Sequence, residues 1–140
     1  MRLKKQIAIL ALGAGFAACT PQPATNLIED NMEFAQQQLR FAFDEIDYAI
    51  VNESPESRAK REKNGWGELT NPRNSEPDGT LNLVPSKDWT SGFFPGTLWY
   101  TYELTGDNAL KTQAVKYTNM LNPVRYYTGT HDLGFMINCS

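Results

Sequence analysis

Apolar residues recur at four- and three-residue steps from Ile28 through Met32, Ala35, Leu39, Ala42 and Ile46 to Ile50. This is the spacing of one helix face, and it predicts a long amphipathic helix. Asn26, with Glu29 three residues on, has the pattern of a capping box at its start, and Ser54-Pro55 is expected to end it. From residue 57 to 87 the periodicity is lost. Gly65, Gly67, Pro72, Pro77, Gly79 and Pro85 interrupt polar residues, with Leu81, Leu83 and Val84 briefly extended. A loop of that length inside a compact domain is usually functional or disordered, and Trp66 within it argues for packing.

Periodicity returns at residues 93–104, where Phe94, Leu98 and Tyr102 share a face and Pro95 sits in the tolerated first turn. Gly106 then supplies a left-handed C-cap and Asp107 the next N-cap. Leu110, Ala114, Tyr117 and Leu121 mark a third helix, closed by Pro123. So tight a connection predicts an antiparallel helical hairpin. A fourth helix is expected to begin near Asp132, with no stop signal before Ser140. Trp99, Tyr100 and Tyr102 read as packing along the second helix. No internal repeat is visible, and the pattern is that of an all-α protein.

The first residues change this picture. Arg2, Lys4 and Lys5 precede an apolar run over residues 7–16, too short to span a bilayer and suited to a secretory signal. Phe16-Ala17-Ala18-Cys19 resembles a bacterial lipoprotein box; the alternative is an ordinary signal with Cys19 incidental. The organisation expected is a signal over 1–18, a tether over 19–26 starting at lipid-modified Cys19, and a domain over 27–140 held at the periplasm or cell surface. After residue 18, ten Lys and Arg face sixteen Asp and Glu, a formal charge of −6. That balance disfavours a nucleic-acid partner. An acidic ligand would depend on local donors and aromatic faces. Two cysteines, one of them Cys19, build no disulfide framework; Cys139 is expected to pack as a small hydrophobe. A single histidine with no cysteine pair offers no zinc spacing, and no cofactor is expected.

Candidate chemistry lies in two clusters, Asp88-Trp89-Thr90-Ser91-Gly92-Phe93-Phe94-Pro95-Gly96 and Thr130-His131-Asp132-Leu133-Gly134-Phe135. By position alone, Asp132 is a helix N-cap, His131 a structural histidine, and Trp89 either core or a ligand face. Asp88 reads as a turn or capping carboxylate. Arg73 reads as a solvated loop cation that is also within reach of a ligand carboxylate.

Both clusters, in this order and separation, resemble glycoside hydrolase family 88, the unsaturated glucuronyl hydrolases. The resemblance runs from about Asn26 to Ser140. It implies the N-terminal portion of an (α/α)6 barrel, truncated to about a third of an enzyme. It makes Asp132, within a His-Asp-x-Gly-Phe motif, the earlier of two essential carboxylates, and it makes Trp89, His131 and Asp132 substrate-binding, with Trp89 part of the sugar-binding wall. The later Asp, the proton donor, would fall beyond Ser140, so this chain alone is expected to be inactive.

The chemistry so implied differs from that of glycosidases whose two carboxylates flank the anomeric carbon. Here the non-reducing uronic acid carries a C4=C5 double bond left by a lyase. Protonation at C4 and addition of a base-activated water at C5 give a hemiketal, which rearranges and releases the remaining saccharide. That needs a carboxyl partly protonated near neutral pH and a partner that positions water. The expected partners are unsaturated uronic-acid oligosaccharides of glycosaminoglycan type, with the membrane touched only through the lipid. Two alternatives stay open: an unsaturated rhamnogalacturonyl hydrolase on the same barrel type, and a lipid-anchored helical glycan-binding protein without catalysis.

Overall fold

The computed structural model describes residues 24–140, so the signal over 1–18, Cys19 and most of the 19–26 tether lie outside the described residues. Eight elements follow in order: α1 (Ala24–Val51), α2 (Pro55–Asn64), β1 (Leu69–Ser75), β2 (Leu81–Pro85), α3 (Phe93–Thr105), α4 (Asn108–Asn119), a 3-10 turn (Asn122–Val124) and α5 (Leu133–Ile137). The fold is helical, as the periodicity predicts, with one small sheet added.

The stripe on α1 is buried at its centre, where Leu39 and Ile46 enter the main core; Ile28 and Ile50 at its two ends are exposed. Phe43, outside that stripe, packs edge-on against Phe94 at 6.2 Å between ring centroids and stacks on Tyr117 at 6.4 Å. Asn26 lies inside α1, two residues past its start, so the expected capping box is not formed at that position.

The α3–α4 hairpin follows its sequence signals closely. Gly106 adopts φ 71° and its N–H bonds the Tyr102 carbonyl, while Asp107 accepts from the Ala109 N–H at 2.9 Å. Asp107 also takes an ion pair from Arg40, tying the connection to α1. Leu98, Leu110, Ala114 and Tyr117 are buried between the two helices and α1. Trp99 donates from Nε1 to Thr118 Oγ1 at 3.0 Å. Tyr100, expected to pack, is exposed instead. α4 ends at Asn119, four residues before Pro123, which falls inside the 3-10 turn.

The expected irregular stretch is ordered structure. Ser54-Pro55 does not merely stop α1; it starts α2, with Ser54 Oγ accepting from the Ser57 N–H at 3.1 Å and Pro55 in the first turn. Gly65 closes α2 at φ 59°. No residue of α2 is buried. What holds it is Glu53, whose carboxylate takes Arg61 Nε at 2.9 Å and Ser57 Oγ at 3.2 Å. β1 and β2 then pair antiparallel, with irregularities between Leu69 and Asn71 and between Pro72 and Asn74. The strand proline sits beside a break in the ladder, where its missing N–H costs least. The hairpin turns through Pro77-Asp78-Gly79, with Gly79 at φ 91° and Asp78 Oδ1 accepting from Thr80 Oγ1 and N. Those two bonds hold the Asp78 carboxyl below its ordinary range.

Candidate functional site

β2 delivers the chain into a tight turn over residues 86–92 that carries Trp89. The turn is fixed from within: Ser91 Oγ donates to the Ser86 carbonyl at 2.9 Å, and Asp88 Oδ1 accepts from Thr90 N at 2.9 Å and Thr90 Oγ1 at 2.6 Å. It is fixed from outside as well, because Asp88 Oδ2 accepts from Arg73 Nη1 of β1 at 3.0 Å. Asp88 is therefore the turn carboxylate its position suggests. Arg73 is not a free loop cation; it ties the sheet to the turn.

Trp89 stands out from this support with 44 % of its surface exposed, so the core reading of this residue does not hold. Its ring meets Phe93 edge-on at 6.0 Å and Phe135 at 6.1 Å, and Phe93 and Phe135 lie 5.9 Å apart. All three are similarly exposed. The result is an aromatic platform built from both sequence clusters. Phe93 and Phe135 lie inside the motifs, where periodicity gives them only helix positions; the packing of α5 on α3 makes them a wall.

Two glycines allow that packing. A Cβ on Gly92 would collide with the Phe135 carbonyl oxygen and come within 2.6 Å of that of Met136; one on Gly96 would collide with the carbonyl oxygen of Cys139. The four-residue spacing of the glycines matches that of Phe135 and Cys139, so the C-terminal segment lies backbone-on against α3. Met136 is buried beneath it with Leu121 and Val124, a second small core that Leu133 and Tyr127 also join.

Asp132 sits at the N-cap of α5, just before its first residue, where its backbone carbonyl accepts the Phe135 N–H at 2.9 Å. The expected capping role stops there: its side chain makes no cap hydrogen bond. The carboxylate instead faces His131 Nε2 at 3.3 Å and Thr130 Oγ1 at 3.4 Å, and the side chain keeps 25 % exposure. His131 is almost wholly in solvent, 93 % of its side chain exposed, so it is not a packed structural histidine. The arrangement thus leaves carboxylate oxygens available to a ligand, one helical turn from Phe135 and its contact with Trp89. Neither Asp132 nor Trp89 lines the two clefts of about 700 Å³ beside α2 and the hairpin. The site here is an open face rather than an enclosed cavity. Among the described residues, no cluster of three or more His, Cys, Asp or Glu side chains is placed to hold a metal ion.

Chemically, a half-exposed indole flanked by two phenyl rings suits the face of a flattened sugar ring and keeps water off that face. A carboxylate with unspent acceptor capacity beside an imidazole suits the orientation of a hydroxyl or a water.

No family model matches the chain. Over 60 residues it is 53 % identical to an unsaturated glucuronyl hydrolase of Formosa agariphila, an alignment covering 43 % of this chain and 15 % of that protein. A crystal structure of an unsaturated glucuronyl hydrolase specific for heparin aligns at 40 % identity and a TM-score of 0.49 over 77 % of this chain and 26 % of that one. The chain therefore spans a minor part of each relative's length. Over those 60 aligned residues the chain is unsaturated-glucuronyl-hydrolase-like.

Proposed function

We propose that this glucuronyl-hydrolase-like chain is the N-terminal part of a glycoside hydrolase built on an (α/α)6 barrel. Its substrate is an oligosaccharide released by a lyase, and it removes the 4,5-unsaturated uronic acid from the non-reducing end. Water adds across the enol ether: a proton goes to C4 and hydroxyl to C5. The hemiketal so formed opens, and the aglycone leaves with its oxygen as an alcohol. The half-planar ring of the unsaturated sugar lies on the Trp89 platform. Asp132, oriented by Thr130 and paired with His131, works on the side of the attacking water. A second carboxyl supplies the proton to C4.

The observation that carries this reading is the Asp132 carboxylate, which caps no backbone amide although it stands at the start of the short helix that carries Phe135, whose ring contacts Trp89. A residue spent on capping α5 would have its oxygens on backbone amides. The test is to give the full-length protein lyase-made unsaturated disaccharide and follow loss of the ultraviolet absorbance of its conjugated double bond. Absorbance should fall with the wild-type protein and stay nearly constant with Asp132→Asn. Binding of the disaccharide without any loss of the double bond would replace this reading with that of a non-catalytic glycan binder. The protein is held at a membrane through Cys19, and Cys19→Ser should move it to the soluble fraction.

A further inference from the structure

One of the two clefts beside α2 and the β1–β2 hairpin, the one that reaches Asp88, has no part in the chemistry above, yet its lining is rich in cations. It encloses about 700 Å³ between α2 and the β1–β2 hairpin, and Lys60, Arg61, Arg73 and Lys87 line it with only Glu56 and Asp88 as acids. Four of the ten cations after residue 18 thus meet two of the sixteen carboxylates. In a chain of net negative charge such a local excess marks a place for an anion. Arg61 and Arg73 are already committed, to Glu53 and Asp88 respectively. Lys60 and Lys87 carry no ion pair among the described residues; each ammonium instead lies near an aromatic ring, 5.6 Å from Trp66 and 5.8 Å from Tyr127.

Trp66 is the second unusual feature. It is 40 % exposed, belongs to neither core cluster, and lines the same cleft as the two lysines. A large exposed ring beside unpaired cations, set in a wide cleft, has the elements needed for a sugar that bears an acid: a face for the pyranose and charge for its carboxylate or sulfate. The cleft and the platform share the turn over residues 86–92. The cleft wall ends at Asp88, and Trp89 is the next residue.

We infer that this cleft is a second saccharide site, binding an acidic sugar of the oligosaccharide at a distance from the terminal unsaturated residue, with Trp66 as its stacking face and Lys60 and Lys87 as its anion contacts. The inference rests on the uronic-acid reading for its ligand class. It makes the protein favour longer anionic oligosaccharides over disaccharides, whatever happens at the terminal sugar.

The experiment uses the full-length protein carrying Asp132→Asn, so that substrate is retained. Calorimetric affinities are compared for unsaturated hyaluronan disaccharide, unsaturated hyaluronan hexasaccharide, its saturated counterpart, and neutral chitohexaose. Adding Lys60→Gln and Lys87→Gln, both on exposed side chains, should weaken both hexasaccharides about tenfold and leave the disaccharide unchanged. Trp66→Ala should do the same, and chitohexaose should bind weakly throughout. Hexasaccharide affinities indifferent to the lysine pair, or chitohexaose binding as tightly as hyaluronan, overturn the cleft assignment. If no disaccharide binds while the hexasaccharides still depend on the lysines, the cleft stands and the terminal-residue chemistry proposed above falls.

Discussion

Trp89 and Phe135 lie 46 positions apart in sequence, yet their rings meet at 6.1 Å between centroids with an interplanar angle of 70°. Edge-to-face geometry of this kind adds roughly 0.5–1.5 kcal/mol beyond area burial. It also fixes α5, and with it Asp132, relative to the turn that carries the indole. One contact joins the two motifs into one site.

That contact depends on backbone proximity, which gives a first prediction. Gly92→Ala and Gly96→Ala each place a methyl where the α5 segment's carbonyls now sit. Neither carbonyl belongs to a flexible side-chain end, so the segment must shift. Each substitution should cost roughly 1–3 kcal/mol. Tryptophan fluorescence should also change as Phe135 leaves Trp89. A melting temperature and emission spectrum identical to wild type would show that the segment does not dock here.

Asp132→Asn should separate function from stability. Because the carboxylate caps no backbone amide, its neutralisation should alter unfolding free energy by no more than about 0.5 kcal/mol. Hydrolysis by the full-length protein should fall by roughly 10²–10⁴-fold. A large drop in denaturant midpoint with activity retained would assign the residue to structure.

Tyr117 predicts an alkaline limit. Burial, with a smaller contribution from the negative charge of Asp47, raises its hydroxyl from 10.0 to about 12. The unfolded chain ionises first, so the stabilisation is complete below pH 10 and is lost as pH climbs towards 12. The loss should amount to about 2 kcal/mol. Denaturant midpoints measured at pH 9 and above should show it, and Tyr117→Phe should flatten that part of the profile.

Glu53 predicts an acid limit of a different kind. Its hydrogen bonds from Arg61, together with the nearby charges of Arg61 and Arg58, hold its carboxyl below the ordinary 4.5. The folded state therefore gains from ionised Glu53 above that value and loses the gain as pH falls through the lowered one. Since α2 buries no residue of its own, the loss should appear as local opening. Amide exchange across residues 55–64 should accelerate in acid while that of α3 stays slow. In Glu53→Gln the exchange of α2 should be fast at neutral pH too.

How much of this was legible varies by element. The α3–α4 hairpin was, because Gly106, Asp107 and four apolar positions act within a few residues of one another. The hairpin of β1 and β2 carried its own signal, Pro77-Asp78-Gly79, between short runs. Its strands are hidden in the sequence because Pro72 and the polar β1 residues give no alternation, and the ladder is irregular at that proline. Ser54-Pro55 is a sequence ambiguous by nature, since proline ends one helix as readily as it opens another.

The long amphipathic helix, the capped helical hairpin and the residue types of both motifs follow from the residues in order along the chain, since helical period, capping and turn chemistry are local. What those residues do together depends on packing between distant segments. Two glycines let α5 lie against α3, which turns Phe93 and Phe135 from helix positions into a wall around Trp89. The partner of the Asp132 carboxylate was likewise undecided by sequence: an N-cap position and a ligand-facing carboxylate have the same residue at the same place, and only the direction of its oxygens tells them apart.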